Sequence, residues 1–152
     1  EEFATRFLED PGVLFVSESR RKVVLSDQAL SQSIGLDIDA QRVLPDIILV
    51  DMAPSTPLLA FVEVVATDGP VSESRRSDLM QIARGAGFEE CDATFVTALL
   101  DRSERGVFKK ISADIAWGSF VWFASEPEHL ISYSAPFPAM CYLHQFCRLG
   151  NG

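Results

Sequence analysis

Two short apolar runs, Ile47–Val50 and Leu58–Val65, constrain the fold more than any other feature of this sequence. Each run is too short for a buried helix, is rich in β-branched residues and lies between proline and glycine, a pattern typical of interior strands. Asp46 stands at the start of the first run and Glu63 within the second, where apolar residues are expected. Because an unpaired carboxylate in a buried strand is costly, both acids are candidate functional residues.

The spacing of the two runs predicts how these acids face each other. If Met52–Pro57 connects two antiparallel strands, Asp51 faces Leu58, and Asp46 then lies directly opposite Glu63 on one face of the sheet. Two such carboxylates repel each other, and a divalent cation between them would relieve the repulsion. A few hard oxygen ligands that leave room for water suit Mg²⁺. A shift of one residue in register would send one acid to the opposite face.

A helix is predicted directly after the second run. Ser72 is the expected N-cap, and the helix should continue to about Ala86, where Gly87 follows. The helical period places Arg75 on the inward face, near the end of the strand that carries Glu63. Arg76 lies about 100° further round the helix and is the next basic residue that can reach the same place.

The remaining pattern alternates strands with helices. Before the two central strands we expect a hairpin from Val13–Val16 and Lys22–Leu25, followed by a helix from Ser26 or Asp27 to about Ile34. After them we expect a strand over Ala93–Leu100 and a helix capped by Ser103, with Ile115 on its inner face. A last strand over Ser119–Ala124 is expected to close the sheet. This order predicts an α/β fold with a central mixed sheet flanked by helices.

The 152 residues suit one domain with a substantial core. Because the chain begins with Glu1 rather than Met, we expect it to be a piece of a longer protein. The predicted division is residues 1–10 as the tail of a preceding element, residues 11–132 as the main domain, and residues 133–152 as a C-terminal extension of unknown role.

Charge and composition narrow the class of function. The net charge of −9 argues against a surface built for wholesale nucleic-acid binding, although basic residues cluster at Arg20–Lys22 and at Arg75 and Arg76. No apolar run approaches about 18 residues, so no membrane span is expected. Three cysteines without framework spacing favour reduced thiols and a cytoplasmic location.

Several ordered segments carry a resemblance to a known family. The segments LPDIILVD, FVEVVATDGPVSESRR, ATFVTALLDR and FKKISADIAWGSFVWFASEPEHLI resemble the C-terminal catalytic domain of the BsuBI/PstI type II restriction endonucleases, within the PD-(D/E)xK superfamily. The resemblance spans roughly residues 11–132. It implies a restriction-endonuclease-like fold, Mg²⁺-dependent cleavage of double-stranded DNA, and action as a homodimer on a palindromic site.

The resemblance also assigns roles to residues. In the superfamily the Asp and the Glu bind Mg²⁺, and a lysine two residues after the Glu assists the attacking water. The expected metal set here is Asp46, Glu63 and Val64. The lysine position holds Val65, so the cation must come from elsewhere: Arg75 is the first choice, Arg76 the second and Lys22 the third, with Glu18 as an auxiliary ligand beside Lys22.

Three functions therefore remain open. The first is a metal-dependent DNA endonuclease of restriction type. The second is a repair or resolvase-like nuclease on the same fold, which recognises DNA shape. The third is a non-catalytic binding module, which the missing lysine at Val65 and the net charge of −9 both favour.

Overall fold

A computed structural model describes residues 1–18, 21–38, 44–65, 69–103 and 106–134. The strands are β1 (Pro11–Glu18), β2 (Arg21–Ser26), β3 (Ile47–Asp51), β4 (Leu58–Val64), β5 (Ala93–Leu99), β6 (Ser119–Phe123) and β7 (Leu130–Tyr133). The helices are α1 (Glu2–Phe7), α2 (Gln28–Ser33), α3 (Glu73–Gly85) and α4 (Val107–Ile111), and a short 3₁₀ turn spans Glu90–Asp92.

The strands form one mixed sheet in the order β2-β1-β3-β4-β5-β6-β7. The pairs β4–β5 and β5–β6 are parallel, and the other neighbouring pairs are antiparallel. Parallel neighbours require a crossover connection, and α3 supplies it between β4 and β5. The predicted mixed sheet with flanking helices is therefore confirmed.

Apolar clusters lie on both faces of the sheet. Leu79 and Ala83 of α3 pack with Phe61 and Phe95 on one face, where the two phenylalanine rings stack with centroids 5.7 Å apart. On the other face, α1 places Phe3 against Trp122 with ring centroids 5.7 Å apart. The central strands β4 and β5 are buried on both faces, as their continuous apolar runs predict.

The start and end of α3 follow from local sequence signals. The hydroxyl of Ser72 accepts a hydrogen bond from the Arg75 N–H, which confirms the predicted N-cap. The helix has Ala86 as its C-cap, and Gly87 follows with φ = 87°, a backbone angle that favours glycine. Leu79, Ile82 and Ala83 are buried, so the predicted inward face is also confirmed.

Two expectations about the second half of the chain were wrong. Helix α4 has Gly106 as its N-cap rather than Ser103, whose N–H instead binds the side chain of Asp101 at 2.7 Å in a turn. The strand after α4 does not close the sheet, because β7 pairs with it on the outer side. The burial pattern of β7 does not alternate between buried and exposed residues, so the sequence carries little signal for this edge strand.

The first and last elements of the described chain both belong to the same fold. Helix α1 packs on the same sheet as the rest of the chain, and β7 extends to Tyr133. The expected division at residues 10 and 132 stays a prediction, and residues 135–152 lie outside the described part. No helix in the described ranges combines the length and apolarity that a bilayer span requires.

Candidate active site

Asp46 and Glu63 meet at one end of the sheet. The observed register pairs Asp51 with Leu58 and Ile47 with Val62, which confirms the predicted antiparallel alignment. This register, continued by one residue beyond the last pair, places Asp46 opposite Glu63. The Asp46 Oδ2 accepts a hydrogen bond of 2.7 Å from the Val64 N–H, and this bond fixes the carboxylate beside the end of β4.

The Glu63 carboxyl lies in an unfavourable place for an isolated negative charge. The residue is only 6% exposed. Burial raises the pKa of this carboxyl most, and the Arg75 guanidinium lowers it. Asp46 acts in both directions, because its charge raises the pKa of Glu63 and its backbone N–H lowers that pKa through a hydrogen bond; the net shift is upward. Any additional positive charge placed near this carboxylate would stabilise its ionised form.

Arg75 supplies one such charge from the first turn of α3. Its Nε lies 2.5 Å from Glu63 Oε1, and its Nη2 donates to the Leu44 carbonyl oxygen at 2.8 Å. The arginine side chain is 18% exposed and that of Glu63 is 8% exposed, so this ion pair is largely shielded from water. The prediction that Arg75 points toward the end of the Glu63 strand is confirmed.

These groups line an open cleft of about 520 Å³. The described residues that line it are Leu44, Asp46, Glu63, Gly69, Pro70, Ser72, Ser74, Arg75 and Asp78. The cleft therefore combines carboxylates, one guanidinium group and two hydroxyl groups at the N-terminal end of α3. Such a set of groups can bind a cation and an anionic oxygen side by side.

Val65 occupies the position at which the resemblance predicts a lysine, and it does not line the cleft. Its side chain packs instead against the apolar cluster that includes Leu99 and Val121. The preceding residue, Val64, has no side-chain donor, so only its backbone carbonyl oxygen could serve in the expected metal set.

The other two candidate bases lie elsewhere or outside the described atoms. Arg76 pairs through Nη2 with Glu90 Oε1, and its guanidinium carbon lies 5.2 Å from the centre of the Phe95 ring. It is absent from the described residues that line the cleft. Lys22 belongs to β2, which β1 separates from β3, and its side chain, like that of Glu18, lies outside the described part.

The donor set is small. Across the described ranges, no group of three His, Cys, Asp or Glu side chains is arranged to hold a metal ion. The carboxylates of Asp46 and Glu63 both line the cleft and are hard oxygen donors, whereas Val64 is not among the described residues that line it. That arrangement fits Mg²⁺, which commonly keeps several waters and takes one or two carboxylates.

Sequence reasoning did not identify three contributors to the cleft. The Leu44 carbonyl oxygen binds Arg75 across 31 positions of sequence, and no residue type predicts a backbone partner at that distance. Ser74 and Asp78 also line the cleft. Their signal was present, since Asp78 lies three residues after Arg75 and four after Ser74, and residues at these intervals are neighbours on a helix surface.

Comparisons with known proteins show which family and which fold this chain resembles. A sequence model described as the BsuBI/PstI restriction endonuclease domain matches residues 1–136. The type II restriction enzyme BsuBI of Bacillus subtilis is 28% identical over 134 residues, which cover 88% of this chain and 40% of that protein. The chain therefore spans less than half the length of this curated relative.

A solved structure gives the same fold. The SdaI restriction endonuclease superposes with a TM-score of 0.73 at 24% identity, over 92% of this chain and 43% of that chain. The likeness confirms the predicted restriction-endonuclease-like fold.

Proposed function

Because the chain belongs to the BsuBI/PstI restriction endonuclease family, we propose that it is the metal-dependent nuclease part of a type II site-specific deoxyribonuclease. Its substrate is double-stranded DNA, and the reaction is hydrolysis of a phosphodiester bond. The observation that carries this proposal is the facing pair Asp46 and Glu63, which lines an open cleft beside the Arg75 guanidinium.

Asp46 and Glu63, with the backbone carbonyl oxygen of Val64, would hold Mg²⁺. A bound cation of this kind lowers the pKa of water and stabilises negative charge that develops on the phosphate. The hydrogen bond from the Val64 N–H orients the Asp46 carboxylate before any metal binds. The burial of Glu63 supports the same role, because a desolvated carboxylate beside a second acid favours a cation.

Arg75 is the proposed replacement for the missing lysine. Its guanidinium lines the cleft, where it binds the Glu63 carboxylate and the Leu44 carbonyl oxygen. A guanidinium at the cleft can donate to non-bridging phosphate oxygens and stabilise the charge of the transition state. The hydroxyl groups of Ser72 and Ser74 line the same cleft and can donate to a phosphate at the N-terminus of α3.

Arg76 and Lys22 remain the second and third candidates for this cation. Arg76 would have to leave Glu90 and the Phe95 ring to reach the cleft, which makes it the costlier choice. Lys22 would have to reach the cleft from β2, across the strands β1 and β3.

Family membership further supports a homodimer that acts on a palindromic site, since two equivalent strands must be cut.

One observation favours a second function, a non-catalytic module that retains the fold. Glu63 already has a partner in Arg75, and a buried acid neutralised by an arginine needs no metal. A repair or resolvase-like nuclease is the remaining alternative, and the products distinguish it, because a restriction enzyme cuts genomic DNA into discrete fragments.

The test is cleavage of duplex DNA by the purified chain with and without Mg²⁺. We expect Mg²⁺-dependent cleavage that is lost in Asp46→Ala and in Glu63→Ala. Cleavage that survives both substitutions rules out this site. Smeared products from genomic DNA support the repair-type nuclease, and folded protein without any cleavage supports the non-catalytic module.

A further inference from the structure

A buried hydroxyl lies next to Glu63 in the middle of the sheet. Thr97 of β5 is fully buried, with 0% of its surface exposed. Its Oγ1 accepts a hydrogen bond of 3.0 Å from the Val71 N–H. A hydroxyl group in an apolar core is costly unless it is hydrogen-bonded, and a valine of the same shape would fill the position without that cost. The presence of threonine therefore indicates that the bond to Val71 has a role.

Val71 lies two residues before the start of α3, and hydrogen bonds hold both its N–H and its carbonyl oxygen. Its N–H binds Thr97, its carbonyl oxygen accepts a hydrogen bond of 2.8 Å from the Ala116 N–H, and its side chain is fully buried. Its two neighbours in sequence, Pro70 and Ser72, both line the cleft. Fixing Val71 therefore fixes the wall of the cleft at this point.

Two further contacts connect Val71 to the ion pair between Arg75 and Glu63. Ser72, the residue after Val71, caps α3 by accepting a hydrogen bond of 3.3 Å from the Arg75 N–H. Arg75 in turn binds Glu63, and Glu63 lies beside Thr97 in the parallel register of β4 and β5. These contacts connect Thr97 to the start of α3, and through Arg75 to Glu63 on β4, the strand next to Thr97.

We propose that Thr97 is a positioning residue of the cleft, which holds the start of α3 so that Arg75 meets Glu63. Thr97 does not line the cleft, and it acts through Val71 and Ser72. Its effect on catalysis rests on the proposed nuclease function, whereas its effect on the geometry of Arg75 does not.

The first experiment measures that geometry directly. In ¹⁵N-labelled protein, the Nε–H signal of Arg75 is assigned by its disappearance in Arg75→Lys. We expect Thr97→Val to shift this signal and to speed its exchange with water about tenfold or more, because the hydrogen bond to Glu63 is opened. Thr97→Ser keeps the hydroxyl and should leave the signal at its wild-type position.

Val96→Ala is the matched control for a general loss of stability. Val96 is the neighbouring residue in β5 and packs in the cluster on the opposite face of the sheet. The Val96→Ala substitution should lower the melting temperature and leave the Arg75 signal unchanged. Thr97→Ala also removes the hydroxyl and decides the question if Thr97→Val does not fold.

The second experiment measures cleavage well below the melting temperature of each variant. Thr97→Val should lower kcat about tenfold or more with little change in KM for DNA, since misplacement of a catalytic group acts on the chemical step. Thr97→Ser should restore kcat, and Val96→Ala should not lower it.

An unchanged Arg75 signal in both Thr97→Val and Thr97→Ala would overturn the proposal, as would a failure of Thr97→Ser to restore the signal. Absence of Mg²⁺-dependent cleavage in the wild type refutes the proposed nuclease function instead, and the Arg75 signal then still decides the role of Thr97.

Discussion

Arg75 Nε lies 2.5 Å from Glu63 Oε1, and this contact joins the first turn of α3 to the strand β4. The resemblance predicts a lysine two residues after Glu63, but Val65 stands there, just past the end of β4, with its apolar side chain packed away from the cleft. Arg75 brings a positive charge to the same carboxylate from the helix instead. The contact therefore explains how this chain can combine a valine at position 65 with a charged site.

Two substitutions of Arg75 should distinguish the effect of its charge on cleavage from the effect of its shape. We expect Arg75→Ala to reduce Mg²⁺-dependent cleavage by a factor on the order of 100, because a donor to the developing phosphate charge is lost. Arg75→Lys keeps the charge but cannot reproduce the bonds to both Glu63 and Leu44. Its cleavage rate should therefore lie between those of the wild type and Arg75→Ala.

Arg84→Ala is the control for this experiment. Arg84 lies on the same helix, is 53% exposed and pairs at 3.3 Å with Glu90 on the surface. Its removal should leave the cleavage rate unchanged. Equal rates for wild type and Arg75→Ala would contradict the role proposed for Arg75.

Arg76 should prove to be a structural residue. Its contacts with Glu90 and the Phe95 ring hold α3 against the sheet, so Arg76→Ala should lower the free energy of unfolding by about 1 kcal/mol. Urea unfolding measures this change. Cleavage at a temperature where the variant is folded should remain close to wild type. Loss of cleavage without loss of stability would instead identify Arg76 as the missing cation.

The affinity for Mg²⁺ should depend on pH through Glu63. Its pKa in the folded chain is raised, chiefly by burial, so the carboxyl still carries a proton at pH values where an ordinary glutamate is ionised. Metal binding needs the ionised form and releases that proton. Affinity should therefore rise as pH rises through the elevated pKa. Calorimetry in two buffers of different ionisation enthalpy measures the released proton, and zero release across this window would contradict the prediction.

Asp51 should contribute to stability rather than to activity. It is buried and accepts backbone hydrogen bonds from Glu9, Asp10 and Ala53. Burial raises its pKa, but the three backbone N–H groups outweigh this effect, and the net pKa lies below its ordinary value. A depressed pKa stabilises the fold above the ordinary pKa of aspartate, and this contribution is lost as pH falls through the folded value.

The variant that tests this account is Asp51→Asn. It should lower the free energy of unfolding by about 1–3 kcal/mol at neutral pH, since a charged acceptor of three N–H groups is replaced by a neutral one. The difference between wild type and variant should shrink as the pH falls through the depressed pKa. A difference that stays constant with pH would show that the charge of Asp51 is not responsible.

The parts of the site that depend on local spacing could be predicted from the sequence. The length of the β3–β4 connection set the register that brings Asp46 opposite Glu63. The helical period and the Ser72 cap set the direction of Arg75. These signals are strong because a shift of one residue would bury the wrong face of a strand or helix.

The parts that depend on distant contacts could not be predicted. The partner of Val71 is a hydroxyl 26 residues away, and the second acceptor of Arg75 is a backbone carbonyl 31 residues away. Strand β7 was also not foreseen, because it is defined by its pairing with β6 rather than by its own composition. Such contacts arise only once the sheet has formed.

The most direct test of the central claim is a Mg²⁺ titration by calorimetry of wild type, Asp46→Asn and Glu63→Gln. Both substitutions keep the shape of the side chain and remove its charge. We predict that the wild type binds Mg²⁺ at millimolar concentration or below and that each substitution weakens binding at least about tenfold. No binding by the folded wild type, or equal binding by all three proteins, would contradict it.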